Sequence, residues 1–261
     1  MKAIIHIGLN KTGTSSIQRF LHENRQQLLQ HGYYYPEPQD HSCAHHAVAR
    51  EVEKTGKSDP LNALVSEAKR HGADLLLSSE HFHTLKDLSP IRKSLRGLKR
   101  EVVVYVREHT RYMTSWYQQS VQSQVFTSTF PEFIQQFSKP HMPVLQAWKK
   151  IADRKGMFIK GYQRENLPEG DVRHDFLERL GISDRADFNF SEDSNLSITG
   201  NLLLAKRILN NFLMQSECLE AAHEVTRIAE KNGRYTGTLN IGDEMINKIY
   251  WMYEEDRKAL R

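Results

Sequence analysis

A chain of 261 residues, 39% hydrophobic and 26% charged, is long enough for one α/β domain with a sizeable core or for two small domains. Its net charge of +4 suits an anionic ligand but is too small to indicate nucleic acid, and no Arg-rich arm or zinc-finger spacing adds to it. Only two cysteines occur, Cys43 and Cys218, far apart in sequence, which reads as a reduced cytoplasmic protein. The apolar start is too short for a signal peptide and no stretch approaches the roughly 20 apolar residues of a spanning helix, so a soluble, unexported protein is expected.

In chain order, residues 2–7 are mostly apolar and end at Gly8, which predicts a strand. Ile17, Phe20, Leu21, Leu28 and Leu29 fall near helical spacing, predicting a helix over 15–30 closed at Gly32. Tyr33 to Pro36 reads as a short strand, then helices are expected over 43–54 and 61–71. Residues 74–78 form a short buried strand with Glu80 just beyond it, and a helix or turn follows over 89–97. Val102 to Val106 is the strongest strand signal, a continuous apolar run typical of a central parallel strand, and it feeds a helix over 109–124. Residues 130–155 are helical and interrupted by Pro140 and Pro143, 157–162 is a further strand, and 171–180 is a helix capped by Gly181. From 198 to 261 the pattern is helical, broken near Asn232-Gly233 and Asn240-Ile241-Gly242. Strands alternating with helices predict an α/β fold, three layers with a parallel sheet flanked by helices. One domain is expected over 1–261, with a core over about 1–197 and a helical C-terminal extension over about 198–261.

The segment Gly8-Leu9-Asn10-Lys11-Thr12-Gly13-Thr14-Ser15-Ser16 follows a strand and opens an amphipathic helix. That placement gathers main-chain N–H groups and a helix N-terminus around one concavity, an arrangement that binds phosphate or sulfate. Gly13 allows close approach, and Lys11 with four hydroxyls adds charge and donors. The pattern departs from the triphosphatase signature G-x-x-x-x-G-K-S/T, because Lys11 precedes Gly13 instead of following it. An ordinary strand-to-helix turn with a Ser/Thr cap is the plainer reading. Lys11 to Ser16 resembles the phosphosulfate loop of sulfotransferases that use 3′-phosphoadenosine-5′-phosphosulfate (PAPS) and carry a P-loop-type fold. The resemblance implies that Lys11 contacts the transferring group and that Asn10, Thr12, Gly13, Thr14, Ser15 and Ser16 hold the 5′-phosphosulfate.

A second element begins where the strongest strand ends, at Arg107, on the edge where open α/β sheets bind ligands. Ser115 lies eight residues later, about two helical turns along the next helix, so the two can converge on one phosphate. This spacing resembles the 3′-phosphate site of the same family, although Glu108 and His109 stand where that family often has Asp or Asn and then Pro.

Sulfuryl transfer needs a base to take the acceptor proton and donors to stabilise the leaving bridging oxygen. Glu80, at a strand end, is the first candidate and His81 the second, as the resemblance implies a glutamate or histidine there. Glu80 as a helix cap or a solvated carboxylate is the plainer alternative. His41, Cys43, His45 and His46 do not reproduce a metal-ligand spacing, so no metal is expected and an exposed or acceptor-lining role is assigned to them. His109 either borders the site or is a surface histidine. Residues 188–197 form a polar loop with an Asn-x-Ser turn similar to one in bacterial members of the family.

Lys231 and Arg234 flank a basic glycine turn; in many family members a late basic loop closes the 3′-phosphate, and a helix C-cap at Gly233 is the alternative. Tyr250 to Tyr253 reads as a helix packing on the core. Together these features imply transfer of a sulfuryl group from PAPS to a hydroxyl of a carbohydrate or small-molecule acceptor, with no nucleic-acid or integral membrane partner. A P-loop kinase acting on a small molecule or a non-catalytic nucleotide binder is the alternative. A kinase calls for a lysine after the second glycine and an aspartate for magnesium at a strand end, where Arg107 stands.

Overall fold

The computed structural model describes residues 1–40, 42–191 and 196–260. The first elements are β1 (Lys2–Ile7), α1 (Thr14–Glu23), α2 (Arg25–Gln30), β2 (Tyr33–Tyr34), α3 (His46–Thr55), α4 (Asp59–Arg70), β3 (Asp74–Ser79) and α5 (Ser89–Ser94). They are followed by β4 (Lys99–Val106), α6 (His109–Ser123), α7 (Phe130–Gln136), α8 (Met142–Lys149), β5 (Met157–Gly161) and α9 (Val172–Leu180). The chain ends with α10 (Gly200–Leu209), α11 (Cys218–Lys231), α12 (Asp243–Met252) and α13 (Glu254–Ala259). Two compact units form, one from 1–107 with 141–192, the other from 108–140 with 193–261. Among the described residues no helix is long and apolar enough to cross a membrane.

The first unit holds a five-stranded sheet, every pairing parallel, in the order β2-β3-β1-β4-β5. This is the α/β architecture that alternating strands and helices predict. Parallel strands buried on both faces lose the alternation of a half-exposed strand, and β1 shows this, with residues 3–7 all buried. On one face Ile4, Leu76, Val103 and Tyr105 pack with Ile17 and Phe20 of α1 and Phe176 of α9. On the other, Ala3, Ile5, Leu75 and Leu77 are equally buried, and α4 packs against β3. From β1 the chain moves toward the β3 side of the sheet, and from β4 it moves toward β5. The switch point therefore lies between β1 and β4, and the crevice outside their carboxyl ends is where such sheets bind ligands.

The helix expected over 15–30 is broken at Asn24. This residue is fully buried; its amide donates to the carbonyls of Phe20 (2.8 Å) and Asn189 (2.9 Å) and accepts from the Asn189 N–H (2.7 Å). A side chain that bonds the backbone of its own helix while serving a distant loop competes with the helical ladder and ends it. Pro143 does not interrupt a helix; it sits in the first turn of α8, where its missing N–H costs nothing.

Two interior histidines are held neutral. His6 points onto the α1/α9 face with Nδ1 2.7 Å from Ser78 Oγ, and burial lowers its pKa to about 3. His45 is bonded to the edge of β3: its Nδ1 accepts from the Ser78 N–H (3.1 Å) and its Nε2 donates to the Pro36 carbonyl (3.1 Å). Burial lowers its pKa to about 4 against those two bonds. In the unfolded chain both take up a proton near 6.5, so the unfolded state binds more protons between that value and about 4, and stability falls as pH falls through this window. The expected slope is ~1 kcal/mol per pH unit for each histidine, read as the urea midpoint measured from pH 7 to 5. A flat profile over that range contradicts it.

The second unit packs Tyr112, Met113 and Tyr117 of α6 against Phe130, Phe133 and Tyr253. His109 is not a surface histidine: it is buried, with Nε2 2.8 Å from the Asp256 carboxylate and its ring stacked on Tyr253 at 4.3 Å. Of the run Tyr250 to Tyr253, Tyr253 turns inward while Trp251 is 77% exposed, as a helical period dictates. Gly233 does not cap α11 in the left-handed conformation; Asn232 ends that helix and its side chain accepts from the Arg234 N–H to open a short 3-10 turn.

Candidate functional site

Three strand ends of the first unit converge at the switch point. β1 runs into the loop at residues 8–13, β3 into a 3-10 turn over Glu80–Thr84, and β4 into Arg107. The ladder between β1 and β3 continues one step beyond Ile7, since the Gly8 N–H donates to the Ser79 carbonyl at 3.2 Å. That bond puts the start of the loop beside Glu80.

Two glycines are required here by space. A Cβ on Gly8 would sit 2.2 Å from Thr14 Cγ2 and 3.1 Å from Glu80 Cγ. Gly13 caps α1 in the left-handed region (φ 75°), and a Cβ there would meet the Tyr162 ring at 2.8 Å and Val172 Cγ1 at 2.9 Å. Gly13→Ala combines a disfavoured φ with a clash, for an expected loss of about 1–3 kcal/mol, seen as a lower Tm in calorimetric melts. An unchanged Tm contradicts the assigned backbone.

Thr12 and Thr14 do not offer their hydroxyl protons outward. Both donate to the Leu9 carbonyl, at 2.7 and 2.9 Å, and so shape the loop. What remains is main chain: the first intrahelical bond of α1 runs from Ile17 N–H to Gly13 carbonyl, so the N–H groups of residues 14–16 precede the ladder. Ser15 is exposed, and Asn10 and Ser16 are half-buried. Lys11 stands at φ 64°, a conformation uncommon for a side chain of this size.

Charge is concentrated on this loop. Arg107 donates from a guanidinium nitrogen to the Lys11 carbonyl at 3.0 Å and lies 5.8 Å over the Tyr162 ring. Burial, then the neighbouring Arg107 cation, pulls the Lys11 ammonium below its ordinary pKa, while the Glu80 carboxylate opposes the shift. Burial pushes Glu80 above the usual carboxylate range, with Lys11 opposing. A lysine, an arginine and a carboxyl thus share one partly dehydrated corner, with two cations for one anion. Such a surplus of positive charge beside N–H groups favours a multiply charged anion.

The second base candidate faces another way. The His81 ring meets His46 edge-on at 4.9 Å, and the His81 main-chain N–H donates to Ser79 Oγ, which also bonds His46 Nδ1 at 2.9 Å. Burial lowers both imidazole pKa values. His45 is not the exposed or acceptor-lining residue expected, because both of its ring nitrogens are committed to backbone. Among the described residues no group of three or more His, Cys, Asp or Glu side chains is arranged for a metal ion. His41, and Glu192 to Asn195 of the polar loop, lie outside the described residues.

Ser115 is buried on α6, and Lys231 and Arg234 are exposed in and after α11; all three belong to the second unit. Arg234 folds onto Tyr235, its guanidinium 4.7 Å over that ring and 2.6 Å from the hydroxyl. Two residues of the corner went unread in the sequence. Tyr162, just past β5, packs on both Gly13 and Arg107, and the strand-end rule that finds Arg107 would have found it. His83 donates to the Gly8 carbonyl at 2.8 Å and has no sequence signal.

No family model matches the chain. An uncharacterized protein of Archaeoglobus fulgidus is 26% identical over 191 residues, covering 72% of this chain; the chain spans about half of that relative's length (53%). Among solved structures, a sulfotransferase from Alicyclobacillus acidocaldarius is similar with a TM-score of 0.47 and 14% identity, over 87% of this chain and 96% of that one.

Proposed function

We propose that this chain transfers a sulfuryl group from PAPS to a hydroxyl of a carbohydrate or small-molecule acceptor. One observation carries the reading: Lys11, Glu80 and Arg107, from three strand ends, meet beside an N–H-rich loop at the switch point of the sheet. The corner fits a nucleotide bisphosphate in donor chemistry, since the N–H groups of residues 14–16 precede the α1 ladder and suit main-chain contact with an anion, and Arg107 suits a second phosphate. When bound, the donor supplies an activated sulfuryl group and a phosphate leaving group.

The protein's own part is positioning and electrostatics. The N–H groups of residues 9–16 hold the 5′ end, with Thr12 and Thr14 contributing main chain only, because their hydroxyls are used at Leu9. The Lys11 ammonium stabilises charge on the bridging oxygen. Glu80, ionised above its raised pKa, takes the proton from the acceptor hydroxyl. A guanidinium has five donors, enough to tie the Lys11 carbonyl and bind phosphate together. The family resemblance assigns Ser115, on the helix after Arg107, and the late basic residues Lys231 and Arg234 to the 3′-phosphate.

Incubation of the protein with sulfur-labelled PAPS and a panel of saccharides, small alcohols and tyrosyl peptides tests the reaction class. Label on at least one acceptor, lost on Arg107→Ala, is the expected result; phosphoryl transfer from ATP with none from PAPS contradicts it.

A further inference from the structure

Three of the four carbonyls from Gly8 to Lys11 are held by side-chain donors. Gly8 accepts from His83 Nδ1 (2.8 Å), Leu9 from the Thr12 and Thr14 hydroxyls (2.7 and 2.9 Å), and Lys11 from Arg107 (3.0 Å). In a trans peptide the N–H points opposite to the carbonyl. Fixing these carbonyls therefore fixes the N–H groups of Leu9, Asn10 and Thr12 on the other side of each peptide plane. A carbonyl turned the other way would set a partial negative charge against any bound anion. The bonds give the loop its polarity before a ligand arrives.

Thr12 and Thr14 are members of the loop, and Arg107 belongs to the site. His83 belongs to neither, and its place follows from local geometry. In a 3-10 turn, residues three apart are eclipsed, so Glu80 and His83 project from one face of the turn over 80–84. Both meet Gly8: Glu80 Cγ lies 3.1 Å from where a Gly8 Cβ would be, and His83 bonds the Gly8 carbonyl. With the Gly8 N–H tied to Ser79, both polar groups of this residue are held by the segment that carries Glu80.

We propose that His83 is a positioning residue that holds the Gly8–Leu9 peptide with the Leu9 N–H toward the bound anion and sets the loop against Glu80. The anion is the phosphosulfate on the reading above, and the proposal depends on that reading for the ligand's identity alone. A carbonyl only accepts, so His83 Nδ1 carries the hydrogen. Nδ1 carries it in the neutral tautomer and in the imidazolium alike, so the support does not depend on the protonation state of His83.

The test compares His83→Ala with His83→Asn, whose side-chain nitrogen stands nearly where Nδ1 stood. In His83→Ala, amide hydrogen exchange at Leu9 to Thr12 is expected to quicken on the order of tenfold, with β4 unaffected. His83→Asn should restore the slow rate, and its affinity for 3′-phosphoadenosine-5′-phosphate should recover from the roughly tenfold loss seen in His83→Ala, with an unchanged pH dependence between 6 and 8. Loop exchange in His83→Ala equal to that of the unaltered protein, or an asparagine no better than alanine, overturns the proposal. If the unaltered protein fails to bind the bisphosphate, the proposed function falls, and the exchange comparison still decides the role of His83.

Discussion

Replacing Lys11 by alanine is expected to lower sulfuryl transfer by about 100- to 1,000-fold while the bisphosphate product still binds within about tenfold, as for loss of one preorganised donor to developing charge. The ammonium has no large part in ground-state binding on this account, because main-chain N–H groups and Arg107 hold the phosphates. A companion variant separates charge from backbone. Lys11 occupies the left-handed region (φ 64°), where a non-glycine residue carries ~1 kcal/mol of strain. Lys11→Gly should therefore melt higher than the unaltered protein and be as inactive as Lys11→Ala. Strain kept at a residue whose removal stabilises the fold marks a site selected for chemistry. Full activity in either variant contradicts the role given to Lys11.

Glu80→Gln should lower transfer by about 100- to 10,000-fold and leave nucleotide affinity unchanged, because the amide keeps the shape and removes the base. The pH dependence follows from the same carboxyl. Burial raises the Glu80 pKa, and a base works when ionised, so the rate climbs with pH along a limb displaced upward from the ordinary carboxylate range. Glu80→Gln should lack that limb. Unchanged turnover would move the base to His81, whose ring stands against His46.

What the sequence made legible was local. The apolar run Val102 to Val106 marks a central strand, so Arg107 falls at its carboxyl end, and the same logic puts Glu80 beyond β3. The loop at 8–16 is readable as strand, glycine turn and helix start. Long-range bonds were not legible. Asn24 lies four residues from both Phe20 and Leu28 on the inward face of a helical pattern, a buried polar position that demands a partner. That partner is Asn189, 165 residues away, and it breaks the helix. The sequence left His109 either bordering the site or on the surface, and its buried place beside Asp256, 147 residues on, could not be read locally. His83 acts only because its turn is 3-10, which three-residue spacing cannot announce in a segment of five. Tyr162 was missed because the expected strand ran through residue 162, whereas β5 ends at Gly161 and leaves Tyr162 at the strand end.

On the proposed function, the loop and Arg107 together select a bisphosphorylated nucleotide over a triphosphate. Calorimetric titration with 3′-phosphoadenosine-5′-phosphate, and separately with ATP and magnesium, measures it most directly. The bisphosphate is expected to bind more tightly than ATP with magnesium, and Arg107→Ala to weaken it about 10- to 100-fold, as for a lost charge-assisted bond. Preference for ATP with magnesium, or bisphosphate affinity untouched by Arg107→Ala, would contradict it.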